Sequence, residues 1–213
     1  MGRARQHWST GSLAQYLRAS PGKRLLAHAS GDGSDRKWLE AQGYDVTTFD
    51  IFPGDFTDYI CDGHNLPFAG EQFEIVTSIA VFEHLSDPFV AAAEIHRVLK
   101  PGGALVGSAA FLEAYHGFSY FHMSHLGLTE VFRRAGFTSV HISPGWSCLE
   151  SLNNSFWVWN RVRPVRRVTR TVNRLKYKLG LGLWRLAYRL RGASPPPELP
   201  LRFCGSLMFH AVK

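Results

Sequence analysis

Between residues 24 and 142 the chain alternates short apolar runs of strand character with amphipathic runs of helical character. This alternation constrains the fold more than any other feature. Residues 24–29 read as a buried strand, broken by Gly31-Asp32-Gly33, and residues 34–42 as a helix closed by Gly43. Residues 44–50 and 73–79 read as further strands, with the apolar run Tyr59-Ile60-Cys61 between them. Residues 87–99 read as a helix with Asp87 as N-cap and Pro88 in its first turn. Lys100-Pro101-Gly102-Gly103 stops that helix, and residues 104–108 begin another strand. A helix over 128–135 and a strand over 137–142 follow. Strands separated by helices of this length imply a parallel sheet with crossover helices, an α/β fold.

Hydrophobic residues make up 45% of the 213, enough to fill a core and to exclude wholesale disorder. No run of about 18 apolar residues occurs, so no membrane-spanning helix is expected. Residues 1–10 carry basic side chains with no apolar stretch behind them, which argues against a secretory signal. Cys61, Cys148 and Cys204 are widely spaced and odd in number, so neither a disulfide framework nor a zinc site is expected. A reducing cytoplasm is the expected compartment.

The informative residues fall at the predicted carboxyl ends of the strands, where open α/β sheets place their ligands. Small residues between the first strand and its helix, Ala29, Gly31 and Gly33, let a ligand approach the backbone. Asp50, ending the second strand, offers a carboxylate suited to the two hydroxyls of a ribose, or caps a loop. Asp62 offers an acceptor for an exocyclic amine, or sits in a turn before Gly63.

In this order and spacing the motifs resemble the class I S-adenosylmethionine-dependent methyltransferases. The residues that carry the resemblance are Leu25-Leu26-Ala27-His28-Ala29-Ser30-Gly31-Asp32-Gly33, Asp50, and Cys61-Asp62-Gly63-His64-Asn65-Leu66-Pro67-Phe68. They are joined by Phe73-Glu74-Ile75-Val76, Val81-Phe82-Glu83-His84-Leu85-Ser86-Asp87-Pro88 and Arg97-Val98-Leu99-Lys100-Pro101-Gly102-Gly103. The resemblance implies a Rossmann-like, doubly wound sheet of seven strands whose last strand is antiparallel. It implies S-adenosylmethionine as cofactor, held by Ala29, Gly31, Gly33, Asp50, Ile51, Asp62, Gly63 and Ala80. The chain departs from the family at Ala27, where an acidic residue is usual, and at Ala29, where glycine is usual. Loss of a charged partner for the methionine end costs about 1.5–3 kcal/mol unless His28 or Asp32 compensates.

Methyl transfer is an in-line displacement in which positioning contributes most, and a general base is needed for a poorly ionised acceptor. His84, after the fourth strand, and His122 and His125, after the fifth, are the candidate bases. Their loop, residues 113–127, also holds Tyr115, His116, Phe118, Tyr120 and Phe121. As alternatives, His84 caps a helix, His125 braces one, and the aromatics pack as a lid. No third ligand stands at metal spacing beside His122 and His125, so a metal centre is not the reading adopted.

The net charge of +7 hides a segregation. Residues 151–193 hold eleven Lys or Arg and no Asp or Glu. At 100° per residue, Val158, Val162, Val165, Val168, Val172, Leu175, Leu179, Leu183, Leu186 and Leu190 form one stripe, and most basic residues fall opposite. Gly180 and Gly182 make one helix or two helices equally plausible. Ala193-Ser194-Pro195-Pro196-Pro197 leads back to a final strand over 203–212. The expected organisation is a methyltransferase core over 1–143, a basic amphipathic helical insertion over 144–201, and the last core strand over 202–213. The stripe either packs on the core, lies on an anionic membrane surface with Trp157, Trp159, Trp184 and Tyr188 near the headgroups, or accompanies nucleic-acid binding.

The function expected is methyl transfer to a small-molecule, sugar or lipid-linked acceptor, by a cytoplasmic protein peripheral to the inner membrane face. The rivals are a scaffold that has lost catalysis, suggested by Ala27 and Ala29, and an RNA methyltransferase. Ile79-Ala80-Val81-Phe82 stands where a base-methylating motif would follow the fourth strand, which disfavours the RNA reading.

Overall fold

Strand β1 (Arg24–His28) is apolar on both faces, as a central parallel strand must be. It pairs in parallel with β2 (Asp45–Asp50) on one side and β4 (Phe73–Ile79) on the other. β3 (Tyr59–Ile60) extends the sheet from β2, and β5 (Leu99–Ala110) from β4, also in parallel. With β6 (Ser139–Pro144) and β7 (Ser206–Val212) the order is β3-β2-β1-β4-β5-β7-β6. β7 runs against β5: Lys213 N–H donates to the Gly103 carbonyl at one end, and Phe111 N–H to the Gly205 carbonyl at the other. The structure is a computed structural model and describes residues 13–17, 22–29, 31, 33–113, 117–155 and 163–213.

The helices follow the local signals. α1 (Ser34–Ala41) starts after Gly33, whose φ of 72° is left-handed. α2 (Pro88–Val98) is capped as expected, with Asp87 Oδ1 accepting from the N–H groups of Phe89 and Val90 at 3.1 Å each. α3 (His125–Ala135) begins three residues before the expected start, because Ser124 Oγ accepts from Gly127 N–H and ends the extended chain there. β5 likewise begins at Leu99. Lys100-Pro101-Gly102-Gly103 is absorbed by a register irregularity between Phe73 and Ile75 rather than standing outside the strand.

The chain divides into two compact units, one of residues 1–109, 118–142 and 208–213, the other of 110–117 and 143–207. In the first, Leu25 and Ala27 point to one face of the sheet and join an apolar cluster with Leu13, Leu17, Val106 and Met208. Behind β4 and β5, Phe82, Phe132 and Phe209 pack on one another with ring centroids 4.9–5.5 Å apart. This fastens the 3-10 turn Phe82–His84 and α3 to the sheet.

In the second unit, α4 (Cys148–Ser155) and α5 (Arg163–Leu190) lie beside the 3-10 turn Leu199–Phe203. α5 is one continuous helix of 28 residues through Gly180 and Gly182. Its packed side is not the apolar stripe. Among its described side chains Asn173 and Leu181 are buried, with Thr169, Tyr177 and Tyr188 half-buried beside them, and Asn173 Nδ2 donates to the Leu149 carbonyl at 3.1 Å. Val168, Leu175, Leu179, Leu183, Leu186 and Leu190 are 50–79% exposed. Val158, Val162, Trp157 and Trp159 lie outside the described residues. Among those described, no helix is long and apolar enough to cross a membrane.

Candidate active site

The carboxyl ends of β1 to β4 meet around His28. Its ring stacks on Phe49 with centroids 4.5 Å apart, and its Nδ1 lies 3.4 Å from Ser78 Oγ. Gly63 lies against its other edge: a β-carbon there would stand 2.9 Å from His28 Nε2, so only glycine lets the loop after β3 close on β1. Burial pushes the His28 imidazole down to about 3, with His64 acting in the same direction. It is therefore neutral at physiological pH and supplies no charge in place of the carboxylate missing at Ala27. Asp32 and Ser30 lie outside the described residues.

The turn after β1 is left-handed at both described positions, with φ of 64° at Ala29 and 49° at Gly31. Open space surrounds the point where a side chain on Gly31 would stand. Ala29 thus holds a conformation that costs an L-residue about 1 kcal/mol or more. Its N–H donates to the Phe49 carbonyl at 2.9 Å, which fixes it in place. Ala80, after β4, is left-handed as well, at φ 53°, held by its N–H on the Ser108 carbonyl. Gly33 faces away from open space, since a β-carbon there would strike the Phe56 ring at 2.2 Å.

Asp50 ends β2. Its Oδ1 accepts from Phe52 N–H at 3.1 Å, and its Oδ2 has no partner among the described residues. Ile51 and Phe52 next to it are 58% and 68% exposed. The loop that carries them is tied down by Asp58, which accepts from Arg36 Nη1 at 2.8 Å and Thr48 N–H at 2.9 Å. Burial opposes ionisation of Asp58, but the Arg36 and Thr48 hydrogen bonds hold it below the ordinary carboxylate value.

Asp62 is engaged through one oxygen. Oδ1 accepts from His64 N–H at 2.9 Å and from His64 Nδ1 at 2.5 Å. His64 Nε2 accepts from Asp87 N–H at 3.1 Å, which places the imidazole proton on Nδ1. The hydrogen bonds from His64, the backbone one first, hold Asp62 below its ordinary value, and Oδ2 has no partner among the described residues. His64 thereby joins the loop after β3 to the cap of α2. The sequence reading did not single it out. An aspartate two residues before a histidine is the available signal, the spacing of an Asx turn.

The three candidate bases sit on elements packed around the turn Phe82–His84. His84 is half-buried and ends that turn, directly after the fully buried Glu83. The Glu83 carbonyl accepts from Tyr120 N–H at 2.7 Å and Phe121 N–H at 3.2 Å, which ties down the loop leading to His122. His122 is exposed, with Nε2 3.0 Å from Ser119 Oγ. His125 opens α3, whose Phe132 packs on Phe82. Nothing local in the sequence marks the Glu83 carbonyl as the anchor. Tyr115 and His116 lie outside the described residues.

A sheet of this order, with acidic residues after β2 and β3 and left-handed turns after β1 and β4, has the Rossmann-like α/β fold of the class I S-adenosylmethionine-dependent methyltransferases. Residues 26–107 match the family described as methyltransferase domain. Over 98 residues the chain is 36% identical to a demethylmenaquinone methyltransferase of Renibacterium salmoninarum, a stretch that covers 41% of each protein. The chain thus matches less than half the length of that relative. Among solved structures it resembles an S-adenosylmethionine-dependent methyltransferase from Archaeoglobus fulgidus, with 16% identity, a TM-score of 0.61, and coverage of 96% of this chain and 92% of that one. It also resembles the 1,6-didemethyltoxoflavin N1-methyltransferase of Burkholderia thailandensis, with 16% identity, a TM-score of 0.60, and coverage of 98% and 77%.

Proposed function

We propose that the chain transfers a methyl group from S-adenosylmethionine to a small-molecule acceptor bearing an apolar ring, free or lipid-linked. The observation that carries this reading is the convergence of the left-handed Ala29–Gly31 turn, Asp50 and Asp62 at the ends of β1, β2 and β3. The donor set fits the cofactor. The open space at Gly31 takes the methionine portion against backbone supplied by Ala29 and Gly33. Asp50 Oδ2 is available to the ribose hydroxyls, with Ile51 along the adenine face. Asp62 Oδ2 is available to the exocyclic amine, and Gly63 and Ala80 are assigned to the same cofactor. When bound, S-adenosylmethionine supplies an electrophilic methyl on a sulfonium.

The chain's own contribution is orientation and proton removal. The Glu83 carbonyl holds the loop that presents Phe118, Tyr120 and Phe121, which are 97%, 66% and 45% exposed and suit a ring-shaped acceptor. His84, His122 or His125 would take the acceptor's proton as its nucleophile develops. The name of the Renibacterium relative, a demethylmenaquinone methyltransferase, supports a ring acceptor of quinol type.

Calorimetric titration with S-adenosylmethionine and S-adenosylhomocysteine tests the first half of the reading, and both are expected to bind. A demethylated naphthoquinol and a sugar, each supplied as acceptor, test the second half, and product S-adenosylhomocysteine is expected with the quinol. If neither cofactor form binds, the reading fails and the chain is a scaffold on the same fold.

A further inference from the structure

We infer that α5 is a membrane-docking helix that lies flat on an anionic lipid surface, apolar stripe inward. This inference rests on exposure and charge in the second unit and does not depend on the methyl-transfer reading.

A water-facing helix of a folded domain presents polar residues to solvent. α5 presents Val168, Leu175, Leu179, Leu183, Leu186 and Leu190, each at least half exposed, along one line. An open depression lined by Val165, Val168, Thr169 and Val172 continues that line toward the helix start. At about 100° per residue, the stripe is centred about 160° from the packed side at Asn173, Tyr177 and Leu181. The contacts of α5 within its own unit therefore leave the stripe uncovered. At about 1.5 Å per residue its 28 residues reach about 42 Å, long enough to lie along a surface.

Charge selects the occupant. Arg174, Lys178, Arg185 and Arg189 are exposed and flank the stripe on one side, and Lys176 flanks it on the other. Residues 151–193 hold no acidic residue. A second copy of the chain docked stripe to stripe would bring these cations together with no acid in the segment to pair them. A nucleic acid would engage the cations and leave the large apolar side chains in water. An anionic bilayer satisfies both faces, since leucines enter the acyl boundary while long cationic side chains reach phosphates.

The test is sedimentation of the full chain with vesicles of phosphatidylcholine alone and of phosphatidylcholine with 30% phosphatidylglycerol, at low and high salt. Binding to the anionic vesicles is expected to exceed binding to the neutral ones at least tenfold and to weaken with salt, at about a factor of five per cation near the surface. The triple substitution Leu175→Ser, Leu179→Ser, Leu183→Ser should lower binding at least tenfold and leave the melting temperature unchanged. Lys178→Glu with Arg185→Glu and Arg189→Glu should abolish the preference for anionic lipid. Equal binding to both vesicle types, or none, overturns the proposal. So does a serine triple that melts markedly lower, which would mean the stripe is covered in the folded chain. A dimer that the serine triple converts to monomer assigns the stripe to a second copy. Retention on duplex RNA without vesicle binding assigns the basic face to nucleic acid.

Discussion

The backbone N–H of Tyr120 donates to the carbonyl of Glu83 at 2.7 Å, so the loop after β5 is fastened to the turn after β4. The two segments carry His122 and His84. Tyr120→Pro removes this donor. Loss of one hydrogen bond at about 1 kcal/mol should raise cleavage of the loop around 118–124 by limited proteolysis roughly fivefold. Tyr120→Phe, which keeps the N–H, should be cut at the parent rate. Equal cleavage of all three proteins would show that the tie does not hold the loop.

Asp50→Ala should weaken S-adenosylhomocysteine at least tenfold, corresponding to about 1.5–3 kcal/mol for a charge-assisted contact. Calorimetry reads this directly. Asp50→Asn, which keeps one acceptor, should fall between. Oδ2, which has no partner among the described residues, is the oxygen at issue, because Oδ1 already serves Phe52 N–H. An unchanged dissociation constant removes Asp50 from the site.

Ala27→Asp reinstates the acidic residue usual in the family, yet the position is now buried. Ala27 is 6% exposed, in a cluster with Leu13, Leu17, Val106 and Met208. A carboxylate placed there without a partner should cost about 3 kcal/mol or more and lower the melting temperature, with no gain in cofactor affinity. A variant that melts at the parent temperature and binds more tightly would mean that cofactor reaches this face.

His28 makes stability depend on pH. Its folded value is about 3 against 6.5 in the unfolded chain, so between these values the unfolded state binds a proton that the folded state refuses. The contribution is present above pH 6.5 and is lost as pH falls toward 3, at about 1.4 kcal/mol per pH unit. Denaturant melts from pH 7 to pH 4.5 should therefore be steeper in pH for the parent than for His28→Leu, since groups common to both cancel in the difference. Parallel curves would place His28 in contact with water.

Much of the first unit was legible because its signals are local. A cap such as Asp87, a break such as Gly31, and the period of an apolar strand act over a few residues, and the structure keeps them. The position of Asp50 at the end of β2, and of Asp62 just after β3, could be read ahead because a strand's carboxyl end is legible from the strand itself. The extent of β5 was not, since the pairing of Leu99 with Phe73 belongs to two strands rather than one. The His64 bridge from Asp62 to Asp87 spans loops far apart in sequence and was settled only by folding. His28 reads as an ordinary titratable side chain until Phe49, Gly63 and Ser78 enclose it. The insertion shows the division most sharply. Period and charge determined that an amphipathic, basic helix forms. Whether Gly180 and Gly182 break it, and which side is covered, depended on partners. The helix runs unbroken through both glycines, and Asn173 ties its packed side to the Leu149 carbonyl of α4. Periodicity marks which residues are apolar, but only packing decides which of them are removed from water.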